Sequence, residues 1–64
     1  MTQVFYRVVA RYDEHDHWDI FEDNIQTMES AEDTLRFCEK TSQAPMEWVI
    51  QRVTQTVEDV TKTG

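Results

Sequence analysis

Residues 2–12 alternate without a break: Val4, Tyr6, Val8, Ala10 and Tyr12 fall on one side, and Gln3, Phe5, Arg7, Val9 and Arg11 on the other. Period two with one wholly apolar side is the pattern of a half-buried strand, rich here in the β-branched and aromatic residues that strands favour. A lone strand is not stable. It needs neighbours to pair with and a second layer to cover its apolar face. With 64 residues in all, the rest of the chain has room for about two more strands and one helix. The expectation is one small α+β domain over residues 1–57. A polar tail over 58–64, anchored only by Val60, is expected to fray.

The remaining segments fit that allowance. Asp13, Glu14, His15, Asp16 and His17 hold no apolar residue and read as a hairpin loop. Trp18-Asp19-Ile20-Phe21-Glu22 alternates again, as a short second strand running antiparallel to the first. Asp23 to Gln26 reads as a connection. From Thr27 the period changes: Met28, Ala31, Leu35 and Cys38 recur at three and four residues, one side of a helix over about Met28 to Ser42. Thr27 is the candidate N-cap, with a Ser30/Asp33 capping box as the alternative. Glu29, Glu32 and Asp33 near its start, and Arg36 and Lys40 towards its end, suit the helix dipole. Pro45 opens a last strand from Met46 to about Val57, where a parity change near Gln51-Arg52 suggests a bulge, or that one end leaves the sheet. The order β-β-α-β predicts a three-stranded antiparallel sheet, ordered 2-1-3, with the helix on one face. The other face, carrying Phe5, Arg7, Val9 and Arg11, is then expected to lie uncovered.

Charge narrows the function. Six basic and thirteen acidic residues give −7 and a pI near 4.5. Phosphate binding rests on Lys and Arg, so direct contact with nucleic acid or an anionic membrane is disfavoured. The single cysteine, Cys38, allows no internal disulfide. The chain contains no run of about 18 apolar residues, and its start lacks a signal-peptide pattern, so a cytoplasmic location is expected.

Candidate chemistry is sparse. His15-Asp16-His17, flanked by carboxylates, is the one local group resembling metal ligands, but all would hang from a single loop. Cys38 shares the helix stripe with Leu35 and Ala31 and reads as a small core residue, away from either histidine, so no activated nucleophile is expected. No phosphate loop, CxxC pair or nucleophile elbow occurs. An enzyme is not expected, and no cofactor is implied.

The acidic run is the richest feature. Nine acids and no Lys or Arg lie between Arg11 and Arg36. Asp13, Glu14, Asp16, Asp19, Glu22 and Asp23 would form a rim along the hairpin, with Trp18 and Phe21 beside them as apolar anchors. A rim of this kind steers a basic partner and speeds its association. The plain alternatives are a solubilising surface for the acids and a core position under the helix for Trp18.

Four stretches together, Tyr6-Arg7-Val8-Val9, Trp18-Asp19-Ile20-Phe21, Thr27-Met28-Glu29-Ser30-Ala31-Glu32 and Ile50-Gln51-Arg52-Val53-Thr54, resemble a class of very small acidic proteins of bacteriophages and prophages. The resemblance spans about fifty residues, and its motifs are those of the fold. It implies a protein that inhibits a host protein such as a nuclease, a CRISPR effector or RNA polymerase, some relatives doing so by imitating nucleic acid. The leading expectation is therefore a non-enzymatic inhibitor of a basic, nucleic-acid-handling host protein. The alternative is a self-associating module, a homodimer through the face of Phe5, Arg7, Val9 and Arg11. A metal protein using His15, His17 and Cys38 comes third.

Overall fold

The computed structural model describes residues 1–56. Four elements follow one another: strand β1 (Thr2–Arg11), strand β2 (Asp19–Ile25), helix α1 (Met28–Thr41) and strand β3 (Glu47–Thr56). Both pairings are antiparallel, the strand order is β2-β1-β3, and α1 touches all three strands. The expected α+β architecture is the one found. Val57 and the tail expected to fray lie outside the described residues.

The local chemistry explains the boundaries. In the loop after β1, the Asp13 carboxylate accepts the His15 N–H at 2.8 Å, and the Asp13 carbonyl accepts the Asp16 N–H at 3.1 Å. Those two bonds close the turn that the polar run predicts. Thr27 is extended, and its Oγ1 accepts the Ser30 N–H at 3.1 Å, so the helix starts on this cap and not on the Ser30 box. At the other end Ser42 is the cap, donating its N–H to Cys38 O at 2.9 Å, so the helix itself ends at Thr41, one residue short of the expected end.

Two strands differ from expectation. β2 runs to Ile25, through the residues read as a connection. Against β1 it gains a residue between Ile20 and Glu22, and another between Glu22 and Ile25. These are bulges. At the second, Asn24 takes a φ of 55°, a left-handed value that asparagine tolerates far better than most residues. Gln26 Nε2 donates to the Asn24 carbonyl at 3.1 Å and helps to hold it. The polar run Asp23-Asn24 thus bends a strand instead of ending one. β3, in contrast, has no bulge: its ladder with β1 runs unbroken from Thr2↔Thr56 to Arg11↔Glu47. The apparent parity change has a simple cause. Trp48 and Ile50 pair with Ala10 and Val8 on the helix side, while Val49 and Val53 pair with Val9 and Phe5 on the other. Both faces are apolar.

The core is small. Among the described residues only Val8, Val9, Ala10 and Ala31 are fully buried. Val8 and Ala10 share the helix side, but Val9 points the opposite way. The face expected to lie uncovered is therefore roofed, and by its own long side chains. Arg11 places its guanidinium 4.1 Å from the Trp18 ring and bonds Glu47 through Nε at 2.9 Å. Arg7 lies 5.6 Å from the Phe5 ring, with its Nε 3.4 Å from the Asp23 carboxylate. That second contact is an ion pair without hydrogen-bond alignment, since the buried Nε has no bonded acceptor. Arg7 and Arg11 flank Val9 at i−2 and i+2 on its own face, with Ile20 and Val49 beside it on the neighbouring strands, and their aliphatic stems supply cover on the side that α1 does not reach.

Candidate functional site: an acidic edge beside an apolar groove

The six carboxylates expected to form a rim are all exposed: Asp13, Glu14 and Asp16 at the hairpin tip, and Asp19, Glu22 and Asp23 on β2. They do not act as one row. The bulges of β2 divide them. Asp23 turns to the Arg7 side and is paired there. Glu22 faces α1, where it lines an open groove of about 510 Å³ with Phe21, Asp33, Thr34, Phe37 and Cys38. Asp33 is ion-paired with Arg36 one turn on. Asp16, Asp19, Glu22, Glu29 and Glu32 form no ion pair among the described residues.

The two expected anchors separate as well. Phe21 packs its ring on Trp48, centroids 4.7 Å apart and tilted by 57°, and remains 47 % exposed at the groove. This is the geometry that aromatic quadrupoles favour. Trp18 lies on the other face under Arg11, half-buried, so it is neither a core residue beneath the helix nor a companion of Phe21. Trp18 is thus packed against Arg11 and stands apart from the Phe21–Trp48 pair. Of the alternative interface, Val9 is wholly buried in the isolated chain, while Phe5, Arg7 and Arg11 are half-buried, with each arginine set over an aromatic ring.

Two groove residues escaped the sequence reading. Phe37, 67 % exposed, lies one position off the helix stripe of Ala31, Leu35 and Cys38. An aromatic beside the apolar stripe, with no core to enter, was the available signal. Cys38 is half-buried and opens into the groove instead of closing over in the core. Burial pushes its thiol above the ordinary range, and the Glu22 carboxylate adds to the push. The thiol is thus held neutral, the opposite of an activated nucleophile.

At the hairpin tip, His15 Nε2 stands 3.7 Å from Glu14, both side chains almost fully exposed. No group of three or more His, Cys, Asp or Glu among the described residues is placed to hold a metal ion. No described helix is long and apolar enough to cross a membrane. Comparison with protein families, curated proteins and solved structures finds no match for this chain.

Proposed function

We propose that this chain is a non-enzymatic binding protein that inhibits a basic, nucleic-acid-handling host protein, in the manner the resemblance to small acidic phage proteins implies. The observation that carries the reading is the groove between β2 and α1. Exposed Phe21 and Phe37 stand beside Glu22, with Asp19, Glu29 and Glu32 nearby in sequence and free of ion pairs among the described residues. A carboxylate that has already spent its charge on a neighbouring cation has little left for a partner; these have not. Charge supplies steering, and the phenyl rings supply the contact area that charge alone lacks. The partner surface that fits is one built for phosphates, with Lys or Arg flanking an apolar side chain.

The test is capture from a bacterial lysate at low and high salt, followed by kinetics with the purified partner. Association should slow steeply as ionic strength rises past about 0.15 M, where the Debye length is roughly 8 Å. Reversing Asp19 and Glu22 to Lys should cut the on-rate far more than the same reversal at Glu58 and Asp59. Truncating Phe21 or Phe37 to Ala should instead raise the off-rate. Equal effects of both reversals, or binding indifferent to salt, would reduce the acidic edge to a solubilising surface.

A further inference from the structure

The sheet has two edges, and they are built differently. β2 is broken by two bulges and carries Asp19, Glu22 and Asp23 in its seven residues. Bulges and charges are the devices by which natural edges refuse a further strand. β3 has no bulge and no net charge. It is ten residues long, regular throughout, without Pro or Lys, and its charges are one Glu47 and one Arg52. Its outward N–H and C=O groups have no protein partner among the described residues, because β3 pairs with β1 alone.

We infer that β3 is the joint of a two-fold dimer, pairing antiparallel with β3 of a second copy to give one six-stranded sheet. The register follows from the sequence of the strand. A two-fold axis normal to the sheet keeps each face on its own side, so it must pass through a residue. Centred on Arg52, it sets the two guanidinium groups opposite each other. Centred on Ile50, it sets Val53 against Glu47. Centred on Gln51, it sets Val49 against Val53 of the second copy, Ile50 against Arg52, and Glu47 against Gln55. No like charges meet. Of these three registers only the last joins the apolar rows already present, in which Val9 pairs with Val49 and Phe5 with Val53 in each copy; centring on Val49 also joins a row but pairs only residues 47–51 of the strand. The row Ile20-Val9-Val49 then continues into Val53 and Phe5 of the second copy, and the symmetry repeats it.

Charge favours a second copy at this edge and at no other. β3 is neutral overall, whereas the chain carries −7. Joining at β3 leaves the two β2 strands at the far ends, five strand spacings or about 24 Å apart. That is about three Debye lengths at 0.15 M salt, so repulsion between the acidic edges is screened.

Sedimentation equilibrium of the isolated chain from 1 to 200 µM tests this, together with amide exchange at both ends of that range. Expected are a mass approaching twice 7.7 kDa and exchange in β3 that slows with concentration while β2 is unchanged. Gln51→Lys sets two cations face to face at the axis and should raise the dissociation constant at least tenfold; its far-UV spectrum reports whether the monomer fold survives. Asp19→Lys, on the far edge, should leave the dimer intact. A monomer at 200 µM, a dimer indifferent to Gln51→Lys in a folded variant, or concentration-dependent protection in β2 instead of β3 overturns the inference. Pairing of β3 only with a strand from a different protein gives the first of these outcomes.

Discussion

Val9 is the residue at which the two faces of the sheet can be compared. Alternation places it opposite Val8, on a side with no helix, yet both are fully buried. A buried valine is worth about 1.5–3 kcal/mol relative to an exposed one. Val9→Ala should therefore cost about 2 kcal/mol in urea unfolding, as much as Val8→Ala. A loss below about 0.5 kcal/mol, the usual scale for an exposed site, would mean that the arginine roof does not exclude water. Sequence could not show this roof. Arg7 and Arg11 read as polar interruptions of an apolar face, and only their placement over Phe5 and Trp18 turns them into cover. Cys38 gives a second residue-scale test. Its thiol is raised mainly by burial and secondarily by Glu22, so the folded state resists losing that proton. The linkage then has one sign: the contribution is intact below the ordinary thiol range, and stability falls as pH rises through it, because the unfolded thiol ionises first. At pH 8 alkylation should be slower than for an unfolded control. Glu22→Gln should recover part of the difference, the smaller part.

At the scale of elements, legibility followed periodicity. α1 was readable almost to the residue because the apolar spacing, the Thr27 cap and the charge gradient all point the same way. β1 was readable for the same reason. β2 was cut short because Asp23-Asn24 has the composition of a turn, and a bulge exists only in relation to the strand opposite. The parity change in β3 points to a bulge or to an end leaving the sheet, and the strand shows neither, because both of its faces carry apolar residues along one unbroken ladder. The site suffered from the same cause. The acids and Phe21 were found by composition, but which carboxylate faces the groove depends on the bulge that β2 hides. Asn24 is where the element can be tested. A β-branched residue at its φ of 55° should cost about 1–2 kcal/mol, so Asn24→Val should lower the urea midpoint clearly. Asn24→Gly should hold or slightly raise it, since glycine takes that conformation freely. Equal losses for both would mean that the asparagine side chain matters more than the backbone it permits.

For the whole molecule, one variable separates the fold from the function. Four fully buried residues among those described are a slender core, and the charge of −7 works against it by self-repulsion. The ion pairs oppose that: Arg7–Asp23, Arg11–Glu47 and Arg36–Asp33 involve exposed or part-exposed partners, each worth about 0–1 kcal/mol. Salt screens both terms, so the sign of its effect shows which is larger. Short ion pairs, 2.9 Å for Arg11–Glu47, are screened little, whereas acids spread along an edge are screened strongly once the Debye length falls from about 30 Å at 0.01 M to about 8 Å at 0.15 M. Repulsion should therefore lose more than attraction. The melting temperature of the isolated chain should rise by several degrees across that range, while the affinity of the same chain for a basic partner falls. Opposite responses to one titration follow only if the carboxylates are unpaired in the free protein and are the groups a partner neutralises. A melting temperature that drops with salt would place the stabilising weight on the arginine pairs, and the acidic edge would then have to be read as already satisfied.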